Sequence, residues 1–332
     1  MGKIINDNLE VCCPICLNKG RIGSLVKNDF TRTQLEKYFG DKIHSKDLGL
    51  YDFNMCYCIN CDFEWSHPMK PGSHGFYSWI TRKPQYYCKE RWEWNIVISD
   101  LIKKQYKSVL DVGCGDGKFL VKCENNINNI KCLGLDTSKY SVDSCMNQGI
   151  NAVLSDVKEY SKIDKKKYDA VTAFHCLEHV ENPVDFISDL INLVNKDGSL
   201  YISTPYAPHP SELWYEVLSY PPHHLTRWRK KSYESIAKKL NLKLSFYMPY
   251  ACSLYQRVVN SLSLYWYGVN ERKPLLSWSS FKKMLDDPIS FVRIIFRHIV
   301  REKVYAIRNI SNGIQKENKL TADYLILAKF FK

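Results

Sequence analysis

The chain has no uninterrupted apolar run of about 18 residues, the length a membrane-crossing helix requires, so nothing in it is expected to span a bilayer. The segment Met1-Gly2-Lys3-Ile4-Ile5-Asn6 carries no apolar signal core, and Asn6 breaks the myristoylation pattern. Cysteine comes in an odd number, thirteen, with many inside strand-like and helix-like stretches. That usage speaks against a secreted disulfide scaffold and suits a reducing cytoplasm. Two nucleotide motifs are missing as well. A G-x-G-x-x-G fingerprint would need glycine where Lys118 stands. The phosphate loop G-x-x-x-x-G-K-[ST] fails because three residues separate Gly113 from Gly117 and Phe119 follows the lysine. Acidic charge is short, 35 Asp and Glu against 47 Lys and Arg, and the net +12 raises nucleic acid or an anionic membrane surface as partners. An apolar share of 45% in 332 residues allows one large domain plus an accessory module.

What is present centres on Val109-Leu110-Asp111-Val112-Gly113-Cys114-Gly115-Asp116-Gly117-Lys118-Phe119-Leu120. The apolar run reads as a buried parallel strand, and the residues from Phe119 start a helical pattern. Between them, alternate glycines let the backbone turn sharply and let a ligand approach without meeting a Cβ atom. Cys132-Leu133-Gly134-Leu135-Asp136-Thr137-Ser138 is a second apolar strand ending in a carboxylate, placed to accept hydrogen bonds from ribose hydroxyls. The pattern D-x-G-x-G-x-G followed by Asp136 resembles the first motifs of the S-adenosylmethionine (SAM) dependent class I methyltransferases. The resemblance implies SAM as cofactor, with Asp111, Gly113, Gly115 and Gly117 shaping its cradle and Asp136 and Thr137 meeting the ribose. In that family a carboxylate after the third strand bonds the adenine amino group, and Asp156, next to Val157, matches it.

Regular alternation follows, with strands expected at 108–113, 131–136, 151–155, 168–174 and 198–203 and helices at 117–125, 138–147, 183–195 and 231–240. This argues for an α/β fold: a Rossmann-like, mostly parallel sheet whose last strand, expected over 322–329 beside strand six at 242–248, is antiparallel. His175-x-x-Glu178-His179 literally matches an inverted zinc-protease pattern, but His175 ends a strand where that pattern needs a helix. The segment instead resembles the "LEH" motif of ubiquinone- and menaquinone-type methyltransferases, which implies that Phe174 and His175 flank the adenosyl group. Ser203-Thr204-Pro205-Tyr206 follows strand five, the wrong strand for the N-P-P-Y motif of amino-methyltransferases acting on nucleic acids. Tyr220-Pro221-Pro222-His223-His224-Leu225-Thr226-Arg227-Trp228 resembles the "PPHH-x-x-x-W" loop of methyltransferases associated with glycan biosynthesis. A base for the acceptor proton is then expected at His224, then His179 and His223. Tyr206 and Trp228 are candidates to face the cationic sulfonium.

Residues 1–72 read as a separate module in which Cys13-x-x-Cys16 and Cys58-x-x-Cys61 bind a structural Zn2+ through four thiolates. Cys12 and Cys56 are neighbours able to substitute, and a helix is expected over 31–46. Gly72 to Ile80 reads as a linker. A helix over 86–102 then brings Arg91 toward the methionine carboxylate of SAM. The methyltransferase domain is expected at 73–250 plus 319–332, interrupted by a basic helical insertion at 251–318. Over 251–317 there are eleven Lys and Arg against five Asp and Glu, a net +6 that is half of the chain's excess. Arg293, Arg297 and Arg301 flank an apolar stripe there, so peripheral contact with the inner face of a membrane through 285–308 is weighed against packing on the domain. The expected function is methylation of a small molecule, O-methylation of a sugar or lipid-linked glycan intermediate. The alternative is a ribosomal- or transfer-RNA methyltransferase, which fits less well because the charge is concentrated in the insertion.

Overall fold

The computed structural model describes residues 11–40, 42–43, 48–83, 90–164, 166–207, 217–249, 289 and 325–332. One compact unit comprises the chain up to Ala207 together with Val217–Met248 and Leu325–Lys332. The expected basic insertion at 251–318, including 285–308, lies outside the described residues apart from Ile289.

The N-terminal part builds β1 (Arg21–Val26), α1 (Asn28–Phe39), β2 (Phe53–Tyr57) and β3 (Glu64–His67), then α2 (His74–Ile80). After α3 (Trp92–Lys104) come β4 (Ser108–Val112), α4 (Lys118–Asn126), β5 (Lys131–Asp136), α5 (Lys139–Asn147), β6 (Ala152–Leu154) and α6 (Val157–Ile163). The chain continues through β7 (Tyr168–Phe174), α7 (Pro183–Asn192), β8 (Val194–Pro205), β9 (Thr226–Arg227), α8 (Lys230–Lys239), β10 (Lys243–Tyr247) and β11 (Leu325–Phe331). Seven strands form one sheet in the order β10-β11-β8-β7-β4-β5-β6. β11 runs antiparallel to both of its neighbours, while β8-β7-β4-β5-β6 are parallel. β4 and β7 are buried almost throughout, which is why both read as short apolar runs. Order reverses at β4, whose neighbours β5 and β7 lie on opposite sides, and the chain leaves its carboxyl end through the glycine turn. A crevice opens at such a point in a doubly wound sheet.

Two expectations change. Gly72 to Ile80 is not a linker: Ser73 caps α2 by accepting from the Phe76 N–H, and Phe76 and Ile80 are fully buried. The N-terminal sheet also takes its last strand from far along the chain, in the order β1-β2-β3-β9, with Trp65 paired to Thr226. Trp228, just past β9, is completely buried; it packs edge-on against Phe63 and lies beside Tyr233. Ser232 donates to the carbonyl of Cys61 across the same seam. One apolar core therefore runs from Cys13 and Trp65 through Trp228 to the faces of β8 and β11.

Candidate active site

The glycine turn occupies left-handed backbone, with φ of +71° at Gly113, +56° at Gly115 and +77° at Gly117. At Gly113 an added Cβ would stand 2.2 Å from Cys176 Sγ, and at Gly117 2.8 Å from Cys145 Sγ. The turn is pinned from β5. Asp136 accepts from the Gly115 N–H at 2.9 Å through one carboxylate oxygen and from the Ser138 N–H at 2.8 Å through the other. Burial pushes the Asp136 carboxyl up, against the hydrogen bonds from Ser138 and Gly115. Asp111, at the end of β4, is enclosed and accepts from Thr172 Oγ1 at 2.6 Å. Burial raises it to about 7; the Thr172 bond opposes the rise and the nearby Asp136 adds to it.

These groups line one side of a cleft of about 730 Å³ that reaches from Asp111, Gly113 and Gly115 past Asp136, Thr137, Asp156 and Val157 to His179, His223 and His224. Arg91, Phe174 and His175 line it as well, so the cleft brings together the predicted cofactor and base residues apart from Gly117, which sets the turn behind it. Asp156 already has a task, capping α6 by accepting from the Glu159 N–H at 2.8 Å. Arg91 lies 3.8 Å from the buried Glu93. Tyr206 and Trp228, expected to face the sulfonium, are not among the lining residues, because Trp228 is built into the core, with its Nε1–H donating to Thr226 Oγ1. The aromatic wall is made by Tyr77, Trp94, Phe119 and Phe174. Tyr77 comes from the segment read as a linker.

Beyond β7 the chain turns at His175 with a φ of +55°, sparsely populated for a residue with a side chain. Its N–H donates to the Ser203 carbonyl at 2.9 Å, and its ring sits between Glu93 Oε1 at 3.3 Å and Glu178 Oε1 at 3.4 Å. Burial works against a charge on this ring, but Glu178 and Glu93 outweigh it and raise its pKa. Burial likewise opposes the charge on Glu178, and His175 with His179 overcomes it, holding that carboxyl low. Leu177–His179 form one 3₁₀ turn, which sets Glu178 and His179 beside the proline–histidine loop. There the Leu225 N–H donates to the Glu178 carbonyl at 2.8 Å, and His224 Nε2 lies 3.9 Å from Glu178 Oε1. His223 is 8% exposed, and burial, helped by His179, pushes its pKa down to about 3, so it is neutral. Glu93, on α3, is a site residue that sequence reasoning missed; a glutamate on an amphipathic helix gives no sign that it points inward.

In the N-terminal sheet the four predicted thiols converge. Cys13 and Cys61 sulfurs are 3.5 Å apart, Cys16 and Cys58 3.4 Å, and all four lie within 4.8 Å of one another. Cys12 points to solvent and Cys56, though buried, is outside the group.

A seven-stranded sheet of this order, with β11 reversed and a glycine turn at the switch point, has the class I methyltransferase architecture. Residues 90–245 match the family model for a methyltransferase domain. That segment, just under half of the chain, is thus similar to a methyltransferase domain. Over 112 residues the chain is 30% identical to a mitochondrial ubiquinone biosynthesis O-methyltransferase of Dictyostelium discoideum, covering 29% of this chain and 35% of that one. Over 106 residues it is 28% identical to a probable (S)-tetrahydroprotoberberine N-methyltransferase 2 of Papaver bracteatum, covering 30% and 29%. The matched stretch thus spans about a third of the length of these relatives. A solved SAM-dependent methyltransferase from Archaeoglobus fulgidus aligns with a TM-score of 0.46 and 19% identity over 72% of this chain and 94% of that one.

Proposed function

We propose that this chain is a SAM-dependent methyltransferase acting on a small, hydroxyl-bearing acceptor, with O-methylation of a sugar or glycan intermediate as the reaction. The observation that carries the reading is the single cleft that joins the Asp136-pinned glycine turn to a histidine–glutamate cluster. The residues fit SAM. The turn leaves room where a Cβ would stand, Asp136 and Thr137 border the ribose position, and Tyr77, Trp94, Phe119 and Phe174 give the cleft apolar walls. When bound, SAM supplies a sulfonium methyl open to in-line attack by an acceptor oxygen. Arg91 is the cation for its carboxylate, with Glu93 and His175 holding the wall behind. At the other end Glu178, His179 and His224 suit an acceptor rich in hydroxyls. His224, 13% exposed and backed by Glu178, is positioned to take the acceptor's proton.

Cys13, Cys16, Cys58 and Cys61 would hold Zn2+. Tetrahedral Zn–S bonds of about 2.3 Å place sulfurs about 3.8 Å apart, close to the spacing of these thiols. Four protein ligands leave no open position, so the ion's part is to fasten the sheet on which β9 and the histidine loop are hung.

The test is calorimetry with S-adenosylhomocysteine. The intact chain should bind it, and Asp136→Ala should weaken binding by about 1.5–3 kcal/mol through loss of a buried acceptor. Unchanged affinity in that variant would refute the assignment.

A further inference from the structure

Two thiols stand close together at the glycine turn, and the proposed reaction uses neither. Cys114 is the residue between Gly113 and Gly115, and Cys145 lies on α5. Their sulfurs are 3.7 Å apart, in a hydrogen bond in which either can donate. Cys145 Sγ is also 3.3 Å from the Gly115 carbonyl, to which its S–H donates. Cys145 is completely enclosed, whereas Cys114 keeps 7% of its surface and lines the cleft. One sulfur of the pair is thus reachable by a small molecule in the cleft, and the other stands beside it, shut off from solvent.

Missing side chains confine both sulfurs. A Cβ on Gly134 would stand 2.6 Å from Cys114 Sγ, and one on Gly117 2.8 Å from Cys145 Sγ. The sulfurs fill the space those glycines leave, which limits how far either can swing. A disulfide needs about 2.05 Å between its sulfurs, about 1.7 Å less than their present separation. Confined side chains do not supply all of that closure, so backbone must follow. Gly113 and Gly115 flank Cys114 in left-handed backbone, which makes the turn the yielding partner and the helix the fixed one.

We propose that Cys114 and Cys145 are a redox couple: a peroxide in the cleft joins them as a reversible disulfide, which distorts the glycine turn and releases the nucleotide cofactor. The hydrogen bond from Cys114 holds the Cys145 thiol below its ordinary range, against burial, so the pair yields one proton more easily than a lone enclosed thiol. The proton that remains can sit on either sulfur. With it on Cys145, the thiolate stands at the cleft on Cys114. That thiolate attacks one peroxide oxygen, the O–O bond breaks, and Cys114 sulfenic acid and hydroxide form. The Cys145 sulfur then attacks the sulfenic sulfur, and its proton leaves with the displaced hydroxide as water. The first hydroxide takes up the proton that the pair released. In sum two thiols give two electrons to hydrogen peroxide, and one disulfide and two waters result. The bond also removes the S–H donor from the Gly115 carbonyl, in the residue whose N–H Asp136 holds. Formation of the disulfide is independent of the methyltransferase reading; the loss of cofactor rests on it.

Hydrogen peroxide itself is the probe. The full zinc-loaded chain is treated with stoichiometric peroxide, its remaining thiols are alkylated, and its peptides are mapped by mass spectrometry. Mapping should find Cys114 joined to Cys145. Calorimetry should show S-adenosylhomocysteine affinity at least about tenfold lower, and dithiothreitol should restore it. Excess S-adenosylhomocysteine added first should slow the cross-link, because it covers Cys114. Reduced Cys145→Ala should bind within about threefold of the wild type and keep that affinity after peroxide. No cross-link, a cross-link between other cysteines, or a loss of affinity that persists in Cys145→Ala would overturn the proposal. So would cross-linked protein that binds S-adenosylhomocysteine normally. A Cys114–Cys145 cross-link in a chain that binds S-adenosylhomocysteine in neither form would instead refute the methyltransferase function and leave the thiol couple standing.

Discussion

Asp111 makes stability depend on pH in a direction opposite to most carboxylates. Its side chain is 3% exposed at the end of β4, and it accepts from Thr172 Oγ1 at 2.6 Å. Burial lifts its pKa from the ordinary 3.8 to about 7. Between those values the unfolded chain has already lost this proton and the folded chain retains it. The folded state therefore binds more protons, and stability falls as pH rises. The contribution is intact below the unfolded pKa and is lost progressively until the pH passes the folded one. At 1.36 kcal/mol per pH unit, the rise amounts to about 4 kcal/mol, of which about 1.6 has been lost by pH 5 and the rest by pH 8. Asp111→Asn keeps the acceptor for Thr172 and removes the titration. The amide's own burial cost does not vary with pH, so it cancels when the two conditions are compared. Urea unfolding at about pH 5 and about pH 8 should show the variant gaining on the wild type by about 2.5 kcal/mol. Parallel stabilities, differing by less than about 0.5 kcal/mol between the two pH values, would refute the claim that Asp111 is held protonated by burial.

Two further outcomes test the turn and the cysteine module. Gly113→Ala must place a Cβ 2.2 Å from Cys176 Sγ at a φ of +71°, so it should abolish measurable S-adenosylhomocysteine binding in calorimetry. Adding Cys176→Ala should restore part of that binding, leaving about 1 kcal/mol of backbone penalty. Metal analysis should find zinc retained by the wild type and lost in Cys58→Ser, with Cys56→Ser unaffected because Cys56 lies outside the four-sulfur group. The same Cys58→Ser protein should melt several degrees lower, since ligation energy in such sites is folding energy.

The glycine-turn side of the cleft was legible in the sequence because one continuous segment builds it. A strand buried on both faces reads as an apolar run, the turn needs glycine for its positive φ, and Asp136 reaches Gly115 from the adjacent strand at a fixed distance along the chain. The expected strands over 108–113, 131–136 and 168–174 accordingly fall within a residue of β4, β5 and β7. Local chemistry also located the four thiols, since a C-x-x-C pair turns back on itself within a few residues. Where the reading failed, the deciding interaction was distant. Gly, Ser and aromatic residues at 72–80 carry the composition of a linker. Yet Ser73 caps a helix whose Phe76 and Ile80 are buried by the rest of the fold. Trp228 reads as a loop aromatic until β9 pairs with β3 and encloses it.

The histidine end of the cleft shows why motif and role separate. Tyr77 comes from α2, Glu93 from α3, Glu178 and His179 from the turn after β7, and His223 and His224 from the loop before β9. These groups come from segments spread between positions 77 and 224, and one of the contacts that join the last two is a backbone bond, from Leu225 N–H to the Glu178 carbonyl. A sequence pattern can state that histidines exist there. It does not encode that the His179 ring meets the His223 carbonyl, or that Glu178 is enclosed beside His175. Because β9 belongs to the same small sheet as the cysteine knuckles, the histidine loop takes its position from that sheet rather than from the methyltransferase strands alone. Loss of the cysteine site should therefore disturb the acceptor end while sparing the glycine turn. In Cys58→Ser protein that remains folded, S-adenosylhomocysteine affinity should change by less than about 0.5 kcal/mol, while methyl transfer falls by about tenfold or more. Equal losses at both ends would mean that the two halves of the cleft are supported by one scaffold, and would refute this division of labour.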